Sequence, residues 1–150
     1  MTTTELPDGV GVATLGGEVT DRFGRLRGPL GITSFGLNRM VMAPGERNRI
    51  HRHTGQEEVY LVLSGQLNLG LEGVEHRFGV GELVRVPPSV RRQLINRGPG
   101  QLELLIIGSM VDREHQPRDA EPFADWTNAE PGTLHDVPLP EDLPASEVRS

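Results

Sequence analysis

Between Gly45 and Gly65 two short apolar runs carry polar residues at alternate positions, the period of half-buried strands. In Ile50-His51-Arg52-His53 the histidines are two apart, so on an extended strand both imidazoles project from one face. Thr54-Gly55 then reads as a turn. Glu58 opens the next run, Val59-Tyr60-Leu61-Val62-Leu63, and shares its face with Tyr60 and Val62, while Glu57 faces the other way. Pairing the two runs as neighbouring strands would bring the Glu58 carboxylate to the histidines. Two imidazoles and a carboxylate that leave coordination positions open suit non-haem iron and similar metals.

The rest of the chain repeats the same texture. Val10 to Leu15 reads as a short edge strand, Asp21 to Arg27 as a polar turn-rich segment, and Ile32 to Met42 as one strand or two. Strands are predicted over Gln66–Leu71, Val74–Phe78, Glu82–Val86, Val90–Ile95 and Leu102–Ile107, the last a central one by its unbroken apolar character. Glu72-Gly73 is the expected hairpin turn. From Asp112 the chain turns acidic and proline-rich, with too few apolar residues for a core of its own. Phe123 and Trp126 are its expected anchors on the barrel or on a partner subunit, and Pro138–Ser150 is expected to be an extended arm or disordered. The organisation expected is an N-terminal arm with edge strands over 1–31, a barrel core over 32–111 and a tail over 112–150, one domain in all.

Composition narrows the function classes. The chain has 150 residues, 35% hydrophobic, enough for one core, and its 19 glycines and 12 prolines favour an all-β domain with many turns. A formal net charge of −6 argues against nucleic-acid binding. The absence of cysteine excludes disulfides and thiolate metal sites, and the absence of lysine excludes Schiff-base chemistry. The first eight residues have neither a basic n-region nor an apolar h-region, and no apolar run approaches the roughly 20 residues of a membrane span. A soluble, cytoplasmic protein is therefore expected.

The spacing Gly45, five residues, His51-X-His53, four residues, Glu58, six residues, Gly65 resembles the first motif of the cupin superfamily at every position. The second motif matches at Gly81, Pro87 and Asn96, but Ser89 replaces a glycine and Arg92 stands where the family has its fourth metal ligand, a histidine. The resemblance covers Ile32 to Ile107. It implies a jelly-roll β-barrel (a double-stranded β-helix) with the site in its mouth, and a homodimer. It also implies a divalent transition metal, manganese, iron, nickel or zinc, on His51, His53 and Glu58.

Arg92 divides the functional readings. A guanidinium has no lone pair to give and stays charged. In one reading the metal sits on His51, His53 and Glu58, and Arg92 fixes the carboxylate or phosphate of a small anionic metabolite in an oxygenase, isomerase or lyase. In the other no metal is bound, Arg92 pairs with Glu58, and the protein binds a small molecule without catalysis. A one-residue bulge after Pro88 would instead bring Gln93 to the ligand position. Arg49 has the parity of His51 and is a candidate to line the mouth, and Tyr60 and Met40 are candidates for the wall of a substrate pocket. His76, His115 and His135 are expected at the surface.

Overall fold

The computed structural model describes residues 5–16, 22–110 and 118–150. Ten strands form two five-stranded sheets. They are β1 (Phe23–Arg25), β2 (Phe35–Met42), β3 (Ile50–His53), β4 (Glu58–Ser64), β5 (Leu67–Leu71), β6 (Val74–Phe78), β7 (Leu83–Val86), β8 (Arg92–Ile95), β9 (Leu102–Ser109) and β10 (Ala120–Phe123). One sheet runs β1-β2-β9-β4-β7 and the other β10-β3-β8-β5-β6, with every pairing antiparallel. The all-β jelly-roll expectation holds, with β9 at the centre of its sheet. A single helical turn, α1 (Arg27–Leu30), and a 3-10 turn at Ala145–Glu147 are the helical elements among the described residues.

Alternation decides what the barrel encloses. In the first sheet Met40 and Met42 of β2, Tyr60 and Val62 of β4, and Leu102, Leu104 and Ile106 of β9 point inward. They meet Leu67, Leu69 and Leu94 of the second sheet in one core. The β5–β6 hairpin turns on Glu72 (φ 48°) and Gly73 (φ 86°), two left-handed residues in sequence as a two-residue hairpin of this hand requires. Gly65 ends β4 at φ 78°, where a Cβ would stand 2.4 Å from the Gln101 carbonyl oxygen, so only glycine fits.

Four expectations change. Residues 10–15 form no strand; the N-terminal strand is β1, within the segment read as a polar turn. Residues 32–42 form one strand, starting at Phe35. The histidine run β3 and the glutamate run β4 do not pair: they lie in opposite sheets, so Glu58 meets the histidines across the barrel interior. The tail docks on the barrel through Phe123 and Trp126, as expected, but from 118 onward it also contributes a strand. Its strand β10 adds to β3, and the remainder wraps the outer face of that sheet.

That wrapping depends on few apolar side chains and many arginines. Phe123 is 2% exposed, with the Arg52 and Arg91 guanidinium carbons 5.2 and 5.3 Å from its ring centroid. Val137 and Leu143 are buried too. Arg49 donates to the Val137 carbonyl, Arg47 to that of Glu141, Arg97 to that of Glu147, and Arg91 to those of Trp126 and Asn128. Trp126 lies over Gly70, where an added Cβ would stand 2.9 Å from its Cζ2 atom.

Gly70→Val should therefore dislodge the only tryptophan of the chain. Its fluorescence should shift to the red and the melting temperature should fall. Phe123→Ala should destabilise by about 3–5 kcal/mol in urea unfolding. Unchanged emission in the first variant would contradict the docked tail.

Candidate metal centre in the barrel

The inward face of β3 carries His51 and His53, and Arg92 on β8 is paired directly with His51, which puts it on the same face. Glu58 enters from the first residue of β4 in the other sheet. His51, His53 and Glu58 each offer a ligand atom, and these atoms lie within 4.8 Å of one another. The two rings stand nearly perpendicular, 82° between planes, with centroids 5.2 Å apart.

The outer nitrogens of both rings are anchored. His51 Nδ1 lies 2.9 Å from the Arg49 carbonyl oxygen and His53 Nδ1 lies 2.8 Å from the Asp119 carboxylate. Both partners only accept, so in a neutral ring each Nδ1 carries the proton and each Nε2 presents a lone pair. His53 Nε2 is buried, lies 3.2 Å from Glu58 Oε1, and has no hydrogen-bond partner. A lone pair facing a carboxylate oxygen at this distance is repelled, and a cation held by both atoms would relieve it. A histidine whose far nitrogen donates to a carboxylate is also the usual arrangement of a metal ligand. The donor set fits a divalent metal.

Glu58 Oε1 has other partners. The Tyr60 hydroxyl donates to it at 2.7 Å, and Arg92 Nη2 lies 3.3 Å away without hydrogen-bond alignment. Arg92 is completely buried; its Nη1 donates to the carbonyls of Pro88 and Val90 at 3.0 and 2.7 Å. Its Nε donates to the Tyr60 hydroxyl at 3.4 Å, so the arginine is tethered by two nitrogens and presents the third, without an aligned acceptor, to the site.

Burial lowers the His51 pKa to about 4, against the opposing pull of Glu58, so the ring is neutral at pH 7. Burial pushes the Glu58 carboxyl up, but the close approach of His53, the His51 ring and the Tyr60 hydroxyl outweigh it and hold the group at about 2. Burial, Glu58 and its hydrogen bond raise Tyr60 well above the usual phenol range, so it remains a donor.

The other candidates lie elsewhere. Arg49 precedes β3, so strand alternation does not carry it to the His51 side, and its Nε donates outward to the Val137 carbonyl at 2.7 Å. Gln93 faces outward and donates to the Asn48 carbonyl, which removes it as a ligand. Met40 packs in the core beside Tyr60 and takes no part in the polar contacts. His76 and His135 are exposed, and His115 lies outside the described residues. Sequence reasoning missed Asp119, which no motif marks; it follows His53 by 66 residues in the chain.

The family model of the cupin domain matches residues 38–108. Protein SchB of Streptomyces halstedii is 31% identical over 84 residues, 55% of this chain and 61% of that protein. Among solved structures, a sugar phosphate isomerase of the cupin superfamily from Silicibacter pomeroyi superposes with a TM-score of 0.55 at 28% identity, over 58% of this chain and 57% of that one. A cupin 2 conserved barrel domain protein from Salinispora arenicola gives a TM-score of 0.54 at 23% identity, over 71% and 96%. The chain therefore spans about three fifths of SchB and of the Silicibacter protein.

Acid should act on this cluster in two steps in chelator-treated protein. An unfolded His51 takes up its proton near 6.5 and the folded one only near 4, so stability is full above pH 6.5 and falls as pH drops towards 4. Glu58 adds stability that is present above 4.5 and lost as pH falls towards 2. Melting temperatures between pH 7 and 4 should decline in wild type and decline less steeply in His51→Gln. Equal slopes would contradict the buried neutral ring.

Proposed function

We propose that this chain, which belongs to the cupin superfamily, is a metal-dependent enzyme acting on a small anionic metabolite, with the metal held by His51, His53 and Glu58. The observation that carries the reading is the buried His53 Nε2, which faces Glu58 Oε1 at 3.2 Å with no hydrogen-bond partner while its Nδ1 is held by Asp119. A divalent metal there would supply Lewis-acid activation of a bound oxygen.

The anionic substrate follows from charge. Glu58, Asp119 and Arg92 sum to one negative charge, with His51 neutral. A divalent ion would turn that into one positive charge, and an anionic group would neutralise it. Arg92 Nη2 is a buried donor without an aligned acceptor and fits a carboxylate or phosphate oxygen. Tyr60 holds Glu58 by its hydroxyl and so fixes the carboxylate that faces the histidines. Among oxygenase, isomerase and lyase chemistry, the similarity to the Silicibacter sugar phosphate isomerase supports an isomerase of a phosphorylated substrate.

A second reading rests on a different contact. The wholly buried Arg92 lies 3.3 Å from Glu58 Oε1, within ion-pair reach, as a metal-free binding protein would have it. Arg92→Ala does not separate the two, because it also strips the Pro88 and Val90 carbonyls of their donor and opens a cavity in either case. Thermal shifts with manganese, iron(II), nickel and zinc do. Under the metal reading wild type gains several degrees, His51→Ala gains none, and Arg92→His gains more than wild type by completing the ligand set. No response in wild type leaves the metal-free reading.

The homodimer belongs to the same proposal. The tail covers the outer face of the β3-containing sheet, so Phe123 and Trp126 dock on their own barrel. On the outer face of the other sheet, Leu37, Val59, Leu61, Leu105 and Ile107 stand half-buried in neighbouring rows beside the exposed Leu83. Exposed Leu6, Val10 and Val12 add apolar surface on the N-terminal arm. Sedimentation at micromolar concentration should give a dimer, and Leu61→Arg should shift it towards monomer. A compact wild-type monomer would contradict it.

A further inference from the structure

We propose that Asp119, supplied by the C-terminal tail, is the positioning residue of the site, setting both the tautomer of His53 and the placement of the histidine strand against the glutamate strand. The inference deepens the metal reading and rests on it for its functional meaning.

The argument begins with the connection between β3 and β4. Residues 54–57 carry the chain from one sheet to the other, so their course determines how far Glu58 stands from His51 and His53. Asp119 is 4% exposed and binds almost every polar group at the start of that connection. Its Oδ1 accepts from Thr54 Oγ1 at 2.9 Å and from the Gly55 amide at 2.8 Å. Its Oδ2 accepts from the Gln56 amide at 3.2 Å and from His53 Nδ1 at 2.8 Å. Its own carbonyl accepts from the Thr54 amide at 2.9 Å. Four donors on one carboxylate leave it no freedom to turn.

The next residue begins β10, which pairs with β3 so that Ala120 lies opposite His53. The tail therefore delivers Asp119 in register with the ligand strand. Downstream, Phe123 and the arginine-to-carbonyl bonds hold that register. The part of the chain with the least core of its own thus completes the geometry of the site.

An ionised carboxylate can only accept, so it forces the proton of a neutral His53 ring onto Nδ1 and leaves Nε2 as the lone pair that faces Glu58. Asparagine has the same shape but can turn its amide NH2 towards Nδ1 while its oxygen keeps Thr54 and Gly55, at the loss of the longest bond, from the Gln56 backbone amide. The ring then carries its proton on Nε2 and no longer offers a lone pair to a metal.

The test uses the full chain, stripped of metal with chelator and labelled with 15N-histidine, at pH 8. Long-range 1H–15N correlation spectra report which His53 nitrogen is protonated, and titration calorimetry with zinc reports affinity. The expected results are an Nδ1–H ring in wild type, an Nε2–H ring in Asp119→Asn, and zinc affinity lower by about 10–100-fold in the variant. Glu121→Gln, on the outward face of β10 where Glu121 pairs with Arg52, should change neither readout. A proton on Nε2 in wild type, in a neutral or charged ring, overturns the proposal without need of any variant. So does an Asp119→Asn protein with unchanged tautomer and zinc affinity. Wild type that takes no zinc but shows the tautomer exchange would sink the metal reading and leave the positioning role of Asp119 standing.

Discussion

The Glu58 carboxylate is the charge that the barrel interior is built to answer. It stands beside an apolar core, and its Oε1 is approached by a tyrosine hydroxyl, an imidazole nitrogen and a guanidinium nitrogen. A buried charge without partners costs several kcal/mol, and a pair in such a place roughly breaks even against an apolar replacement. The cluster is therefore poor evidence of a stabilising device. The core beneath, from Met42 to Leu104, closes without it.

The chain's exclusive use of arginine has a structural counterpart. Arginine presents several N–H donors on a rigid plane, and here Arg47, Arg49, Arg91 and Arg97 each reach a backbone carbonyl of the tail while other nitrogens remain for carboxylates. A proline-rich segment needs such donors. Past β10 the tail forms no further strand among the described residues, and its carbonyls near an apolar sheet face would otherwise lose their water partners. The tail order thus comes from the strands it covers, not from its own composition.

This explains what could be read from the sequence and what could not. The His51, His53 and Glu58 grouping was legible because strand alternation and fixed spacing act over short separations. The same rule failed at Arg49, one residue before β3 begins, since alternation applies only inside a strand. It also missed the route of the meeting: the two runs belong to opposite sheets, and their shared site is a contact across the barrel. Asp119 was out of reach because no local pattern couples it to a histidine 66 residues earlier. Docking of the tail by Phe123 and Trp126 was legible, but strand β10 and the carbonyls bound by distant arginines were not, as counting apolar residues gives no weight to either.

Arg92 sharpens the consequence of replacing a histidine in a ligand row. Where the cupin resemblance implies a neutral ligand this chain carries a cation, and two unit charges about 4 Å apart repel by about 4 kcal/mol at an effective dielectric of about 20, twice that for a dication. Glu58 offsets part of this and Asp119, one residue further out through His53, offsets more. Under the proposed metal reading, the charge of the site would balance only when an anion joined the metal. Metal and anion should then bind cooperatively, each strengthening the other by the same factor. A neutral ligand in the fourth position would hold the metal whether or not a substrate was present. Under that reading the arginine would exchange that independence for a site whose occupancy depends on the substrate.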